Sequence, residues 1–423
     1  MSLIAIIIFV LGYTAIAFEH TLKLNKAASA LITGVLCWTI YIVAGNEPEK
    51  TNEEIIAHLG DIASILFFLL GAMTIVELVD SHNGFDIITQ KISTKSKSKL
   101  LLIITGLAFI LSALLDNLTT AIVMTSLCSK LIPQREDRCW FAGMIIIAAN
   151  AGGAWSPLGD VTTTMLWIGG QVSAFNIISQ LILPSLAVCI IPAIVIGRRF
   201  KGKKIQSIPL SVCTPKEKRD GRIVLISGIG LLLFVPLFKT VTHLPPFMGM
   251  LLVLGLMWVI TTVLHSKTNP ATAERFTVTH ALQKIDAPSI LFFLGILLAV
   301  TALESIGILK SLAGLLEQKL NNDWLIGTVL GLLSAVVDNV PLVAASQGMY
   351  DLNTYPMDHA FWEFLALTTG TGGSAIIIGS AAGVAVMGIE KIDFMWYLKK
   401  ISWLALAGFF SGILIFLLLH QLR

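Results

Sequence analysis

Charge is what this sequence has least of. Only 13% of its 423 residues are Asp, Glu, Lys or Arg, against about 25% in an ordinary soluble chain. No nucleic-acid partner is expected. Cysteine is scarce as well. Cys37, Cys128, Cys139, Cys189 and Cys213 are odd in number and scattered, so neither a disulfide framework nor metal-ligand spacing is visible. They read as small residues of a membrane core. Short alternating segments do not dominate, which excludes a barrel. A basic n-region is also missing. Met1 to Ala17 ends in Ala15-Ile16-Ala17, like a cleavage site, but without that region it reads as the first transmembrane helix.

What is present is apolar length. Hydrophobic residues make up 55% of the chain, the mean hydropathy is +0.84, and runs near the ~20 residues needed to cross a bilayer recur throughout. The chain is therefore expected to be an all-α polytopic membrane protein. Helices are expected at about Leu3–Phe18, Ala27–Ala44 and Ile62–Val79, with an acidic loop at Glu47, Glu49, Glu53 and Glu54. A basic linker (Lys91, Lys95, Lys97, Lys99) leads to a segment carrying Asp116. An interrupted helix follows at about 140–168, then a helix near Phe175–Ile196 and the hydrophilic linker Arg198–Arg222.

The second half repeats that order, with helices near Ile223–Phe238, Phe247–Leu264 and Ala287–Leu303. A segment carrying Asp338, an interrupted helix at about 361–387 and a last helix Ile401–Leu419 follow. Ser64-Ile65-Leu66-Phe67-Phe68-Leu69 recurs as Ser289–Leu294, an offset of 225, while Asp116 maps onto Asp338 at 222 and Gly159 onto Gly379 at 220. Three landmarks kept in register point to an internal repeat. The expected division is 1–200 for the first copy, 201–221 for a cytoplasmic linker and 222–423 for the second copy.

After Asp338 only Val340–Met349 remains apolar, roughly 15 Å of helix against ~30 Å of hydrocarbon. Each Asp segment, about 98–132 and about 324–349, is thus read as a re-entrant hairpin with its tip near the midplane. Five crossings per copy is an odd number, so the second copy must be inverted. The linker Arg198–Arg222 holds nine Lys/Arg against two acids and should be cytoplasmic. Both termini then fall outside, as do the acidic stretches Glu47–Glu54 and Asp351–Glu363.

Inverted copies with broken helices meeting at the midplane are the architecture of secondary transporters. A break frees backbone carbonyls and helix ends. Gly152, Gly153, Gly159, Gly372, Gly373 and Gly379 permit close backbone approach. Around them stand Asp116, Asn117, Thr119, Thr120, Asn150, Ser156, Asp160, Thr162 and Thr163, and from the other half Ser334, Asp338, Asn339, Thr369, Thr371, Ser374 and Ser380. That set is almost wholly oxygen, the preference of hard cations. Three carboxylates without a basic partner favour a small cation bound through Asp116, Asp160 and Asp338, with protons competing for the same groups. The duller alternatives stay open: Asp-Asn tips also cap helices, Asp160 also suits an N-cap, and Ser or Thr at a break also satisfies backbone. Glu77 and Glu304 read as solvated, and Glu19, His20, His243, His265 and His280 as inert.

These segments resemble the NhaD-type sodium/proton antiporters, within the ion-transporter superfamily that includes arsenite exporters and dicarboxylate or citrate carriers. The resemblance rests on the run Asn150 to Met165 (Asn-Ala-Gly-Gly-Ala-Trp-Ser-Pro-Leu-Gly-Asp-Val-Thr-Thr-Thr-Met), the tips Asp116-Asn117 and Asp338-Asn339, and Thr371-Gly372-Gly373-Ser374. The second tip departs by lacking the threonines that follow the first. The likeness implies Na⁺ or Li⁺ exchanged for H⁺ at a bacterial inner membrane, no cofactor, a homodimer and elevator-like movement. The rival readings are an arsenite or carboxylate carrier, a cation channel and an intramembrane aspartyl protease. The protease would need Gly-x-Gly-Asp, and Pro157-Leu158-Gly159-Asp160 lacks the first glycine.

Overall fold

The computed structural model describes residues 2–17, 19–43, 47–85, 94–204, 215–266, 274–377 and 379–422. Lys91, Cys213, Lys267 and residues 205–214 of the central linker lie outside the described residues, as does the side chain of His20. The first half forms α1 (Ser2–Ala17), α2 (Lys26–Val43), α3 (Pro48–Ser81), α4 (Lys97–Leu115), α5 (Asn117–Leu131), α6 (Arg135–Ala154), α7 (Val161–Ile168) and α8 (Ala174–Arg199). The second half forms α9 (Pro215–Thr242), α10 (Pro246–His265), α11 (Ala287–Ser305), α12 (Ile308–Leu320) and α13 (Asp323–Leu333). It continues with α14 (Asn339–Met349), α15 (Ala360–Gly372), α16 (Ala381–Glu390) and α17 (Ser402–Gln421). Short turns of helix at Glu19–Leu22, Val278–Lys284 and Phe394–Lys400 join them.

Among the described residues, eight helices are long and apolar enough to cross a membrane, namely α2, α3, α4, α8, α9, α10, α11 and α17. Each leaves large apolar side chains such as Val35, Leu102, Ile190 and Leu414 exposed on its outer side. An outward apolar face suits lipid, because every helical backbone group is already bonded within its own segment. The chain is a polytopic helical membrane protein.

Three boundaries differ from the reading above. The acidic stretch Glu47–Glu54 is not a loop: helix begins at Pro48, an N-terminal position that proline favours. At 34 residues α3 is roughly 50 Å long, so it must tilt or project beyond the hydrocarbon. Lys97 is not a solvated linker charge either. It is buried and donates to Asp137 Oδ2 at 2.6 Å and Gln134 Oε1 at 3.0 Å. Helix α12 was not foreseen; it is amphipathic, buries Leu309 and Ala313 and exposes Leu312 and Leu315.

Two helix–break–helix units position the centre of the molecule. In the first, α4 and α5 meet at Asp116, and Lys97 at the start of α4 bonds Gln134 and Asp137 just beyond α5. In the second, α13 and α14 meet around 334–338, and Tyr355 beyond α14 donates to Asp323 at the start of α13 (2.8 Å). Each unit therefore returns to the side from which it entered. The open end of the first lies among Arg138, Arg199 and Lys204; that of the second lies among Asp323, Asp351 and Asp358.

Glycine lets these units press onto the broken helices. A Cβ on Gly159 would stand 2.6 Å from the Ser112 carbonyl oxygen, and one on Gly379 would stand 2.5 Å from that of Ala335. Gly152 and Gly372 are tighter still, against the carbonyls of Phe109 and Gly331. Ser112 Oγ donates to Ala149 O (2.6 Å) and Ser334 Oγ to Thr369 O (2.8 Å), the same stitch in both halves. The outer arms then cross over, α5 packing on α16 and α14 on α7. A second close crossing joins α2 to α11, where Gly34 faces the Gly295 carbonyl.

Candidate functional site

Asp160 is the meeting point. It caps α7, accepting from Thr162 N–H (2.9 Å) and Thr162 Oγ1 (2.8 Å). Both tips then reach it from opposite sides. Asn117 Nδ2 donates to Oδ2 at 2.7 Å, and Asn339 Nδ2 lies 3.3 Å from each oxygen. The carboxylate is 1% exposed, yet every donor to it is neutral. A buried anion held only by neutral dipoles is under-compensated, because desolvation removes more than such bonds return. The place is therefore electrostatically suited to a cation.

Asn150 carries the network into the other half. Its Oδ1 accepts from Asn117 (3.2 Å), while its Nδ2 donates to Ser374 Oγ (2.9 Å) and Ser380 Oγ (3.0 Å). Ser380 caps α16 as Asp160 caps α7. Asp116 and Asp338 flank this centre without a hydrogen bond to it, although the charge of each acts on Asp160. Asp116 turns to its own helix, accepting from Thr119 N–H (2.7 Å) and Thr119 Oγ1 (2.8 Å). Its backbone sits at φ +129°, an orientation that L residues resist, and such strain clusters at working sites. Asp338 has ordinary φ; its N–H donates to Tyr13 Oη at 2.8 Å.

The remaining candidates divide by what they bond. Thr120 is buried and its hydroxyl has no hydrogen-bond partner. Ser156 donates to Ala113 O (2.5 Å), Thr163 to Ser156 O (2.8 Å) and Asp160 O (2.9 Å), and Thr371 to Leu367 O (2.6 Å). These three satisfy backbone at the breaks and do not join the Asp160 network. Among the described residues no group of three or more His, Cys, Asp or Glu converges as a metal cage. The site is one carboxylate held by amide N–H and hydroxyl donors, flanked by two more carboxylates.

Several participants escaped the sequence reading. Tyr13 and Lys26 line a cavity of about 70 Å³ beside Asp338, together with the foreseen Ser380. The inference that no basic side chain accompanies the carboxylates is thus corrected, since Lys26 arrives from α2, outside both interrupted segments. Its place in a charged loop resembled that of any other cytoplasmic lysine. His82 was also missed and His265 was read as inert. Their Nε2 atoms are 3.0 Å apart and Phe276 lies against both rings. Burial pushes the His82 pKa down to about 4. Glu77, read as solvated, pairs with Lys284 at 3.2 Å. A larger cavity of about 690 Å³, lined by Asn176, Asp323, Asp358 and Glu363, lies at the acidic face and includes none of the Asp160 partners.

Comparison with known proteins gives a consistent picture. A family profile described as citrate transporter matches residues 13–372. Sodium/proton antiporter 2 of Arabidopsis thaliana is 44% identical over 98% of this chain and 99% of its own length. The Na(+)/H(+) antiporter NhaD of Vibrio cholerae is 32% identical over 99% of this chain and 92% of its own. Among solved structures, the YdaH transporter of Alcanivorax borkumensis superposes with a TM-score of 0.58 at 11% identity, covering 93% of this chain and 98% of that one. That last likeness speaks to the fold alone.

Proposed function

This chain belongs to the citrate-transporter family, on the branch of the NhaD-type sodium/proton antiporters, and on that premise we propose that it exchanges Na⁺ or Li⁺ for H⁺ across a membrane. It is a transporter and not an enzyme. The observation that carries the reading is Asp160, a buried carboxylate met by an asparagine from each hairpin tip and by no cationic donor. A carboxylate substrate would instead call for guanidinium or ammonium groups at that point.

The exchange follows from exclusive occupancy. In the cation-free arrangement the Asn117 and Asn339 amides donate N–H to Asp160. A bound Na⁺ requires oxygen, so each amide turns to present Oδ1, and the Thr120 hydroxyl is free to add another ligand. A proton on Asp160 cancels the negative charge that holds Na⁺, so the two compete for the same group. If only the Na⁺-loaded and protonated forms cross between faces, the two fluxes are locked in opposite directions. Asp116 and Asp338 act as flanking charges that draw the cation in.

We read the halves as inverted copies, five crossings and one hairpin each, with alternating access by movement of the hairpin pair. The recurring glycine contacts and serine stitches support this. The basic linker face is taken as cytoplasmic, with both termini outside, in a bacterial inner membrane and as a homodimer. No cofactor enters the scheme; Na⁺, Li⁺ and H⁺ are cargo.

Proteoliposomes holding the protein and an imposed proton gradient test this directly. Adding Na⁺ or Li⁺ should collapse the gradient, and Asp116→Asn and Asp160→Asn should each abolish the collapse while the protein stays folded. Exchange surviving both substitutions overturns the site assignment. Citrate-driven flux without a sodium response overturns the substrate.

A further inference from the structure

A route into the site lies on the basic face. A cavity of about 360 Å³ is lined by Glu19, Lys23, Lys26 and Asp286. The small cavity beside Asp338, about 70 Å³, is lined in part by Tyr13, Glu19, Lys26 and Ser380. Glu19 and Lys26 border both, so the two cavities adjoin at these side chains. Lys26 is half-buried there, its ammonium 4.9 Å from the centre of the Phe292 ring. Cation–π contact of this kind holds an ammonium against a wall without neutralising it. Lys26 is also the basic side chain whose charge acts on the Asp338 carboxylate.

The elements sort into two groups. Tyr13 on α1, Lys26 on α2 and Phe292 on α11 belong to helices that pack on one another, α2 and α11 at their glycine crossing. Asp338 and Ser380 belong to the second tip and to α16. The Tyr13 hydroxyl thus bonds from one group to the other, and Lys26 shares the cavity beside Asp338. The first tip has no such neighbour among the described residues.

We propose that Lys26 is an electrostatic gate: its ammonium occupies the cytoplasmic-side approach as an internal counter-cation to Asp338, and incoming Na⁺ must displace it. This rests on the sodium/proton exchange proposed above and assigns a specificity-determining residue to one face of it. A tethered ammonium competes with Na⁺ for the inward-facing site and lowers apparent Na⁺ affinity from that side. When the hairpin pair moves against the α1–α2–α11 group, Lys26 stays behind, so the outward-facing site lacks this competitor.

Membrane vesicles of the two orientations read the asymmetry. In everted vesicles, which expose the cytoplasmic face, Lys26→Gln should lower the apparent KM for Na⁺ by about tenfold, the scale of one partly screened unit charge beside the site. Maximal rate should change less than KM. Lys26→Arg, which keeps the charge, should retain the wild-type KM. In right-side-out vesicles Lys26→Gln should match wild type. An unchanged KM at the cytoplasmic face, an equal shift at both faces, or an arginine variant that behaves like glutamine would each overturn the gate. Citrate protecting wild type but not Lys26→Gln against thermal unfolding would make Lys26 an anion ligand and overturn it too. Wild-type vesicles without sodium-dependent proton flux would overturn the exchange reading, and the gate with it.

Discussion

Replacing Asn117 by alanine tests the junction between the first tip and Asp160. The substitution removes a charge-assisted bond at 2.7 Å and a neutral one, to Asn150, at 3.2 Å. The first is worth about 1.5–3 kcal/mol and the second about 1 kcal/mol. Asp160 Oδ2 would then keep only the long contact to Asn339 at 3.3 Å. In the loaded state the same change deletes one oxygen ligand. A loss of about 2 kcal/mol in binding is roughly a 30-fold rise in Kd for Na⁺. At a Na⁺ concentration 100 times the wild-type Kd, ligand stabilisation of wild type is about 2.7 kcal/mol and of the variant about 0.9 kcal/mol. Thermal unfolding in detergent with and without NaCl measures that difference, and sodium-driven gradient collapse gives KM. The expected result is a lower melting point in both conditions, a Na⁺-induced shift cut to about a third, and a raised KM. A variant that melts lower yet keeps its KM and its full Na⁺-induced shift would show that the amide only braces the tip.

Other expectations follow from individual contacts. Thr120→Val should melt at or above wild type, since it replaces a buried hydroxyl that bonds nothing, and should raise KM for Na⁺ several-fold; an unchanged KM would remove Thr120 from the site. Gly372→Ala should cost about 1–3 kcal/mol or more, because its Cβ runs into the Gly331 backbone carbonyl. Gly388→Ala, with open space around it, should leave the melting temperature within about 1 °C. The His82 pKa lies below its unfolded value of about 6.5 and near 4 in the fold. Its neutral form is therefore favoured by folding, and this stability is present above about pH 6.5 and is lost as pH falls toward 4. His82→Gln should flatten the melting temperature between pH 7 and pH 4.5; an unaltered pH dependence would refute the linkage.

Much of the design is legible along the chain because lipid imposes one-dimensional rules. Apolar length marks helices, and a polar tip such as Asp116-Asn117 inside an apolar run is costly enough to mark a site. The glycine pairs Gly152-Gly153 and Gly372-Gly373 announce the breaks that follow them. The helical start of α3 was hidden because Glu49, Glu53 and Glu54 look like loop residues by polarity, although a helix projecting past the hydrocarbon tolerates them well. Helix α12 was hidden for the related reason that an amphipathic surface helix is too short and too polar to register as a crossing.

The sequence by itself determined that this is a polytopic membrane protein whose interruptions carry oxygen-rich, acidic side chains. Only the tertiary structure decided which of those side chains work together. Asn150 bonds Ser374 and Ser380 from the other half, Asp160 rather than all three carboxylates stands at the centre, and Lys26 and Tyr13 come to Asp338 from helices with no polar signature. The reason is physical. Hydropathy and chain breaks depend on neighbours in sequence, whereas these contacts depend on how closely glycine lets helices from the two halves approach.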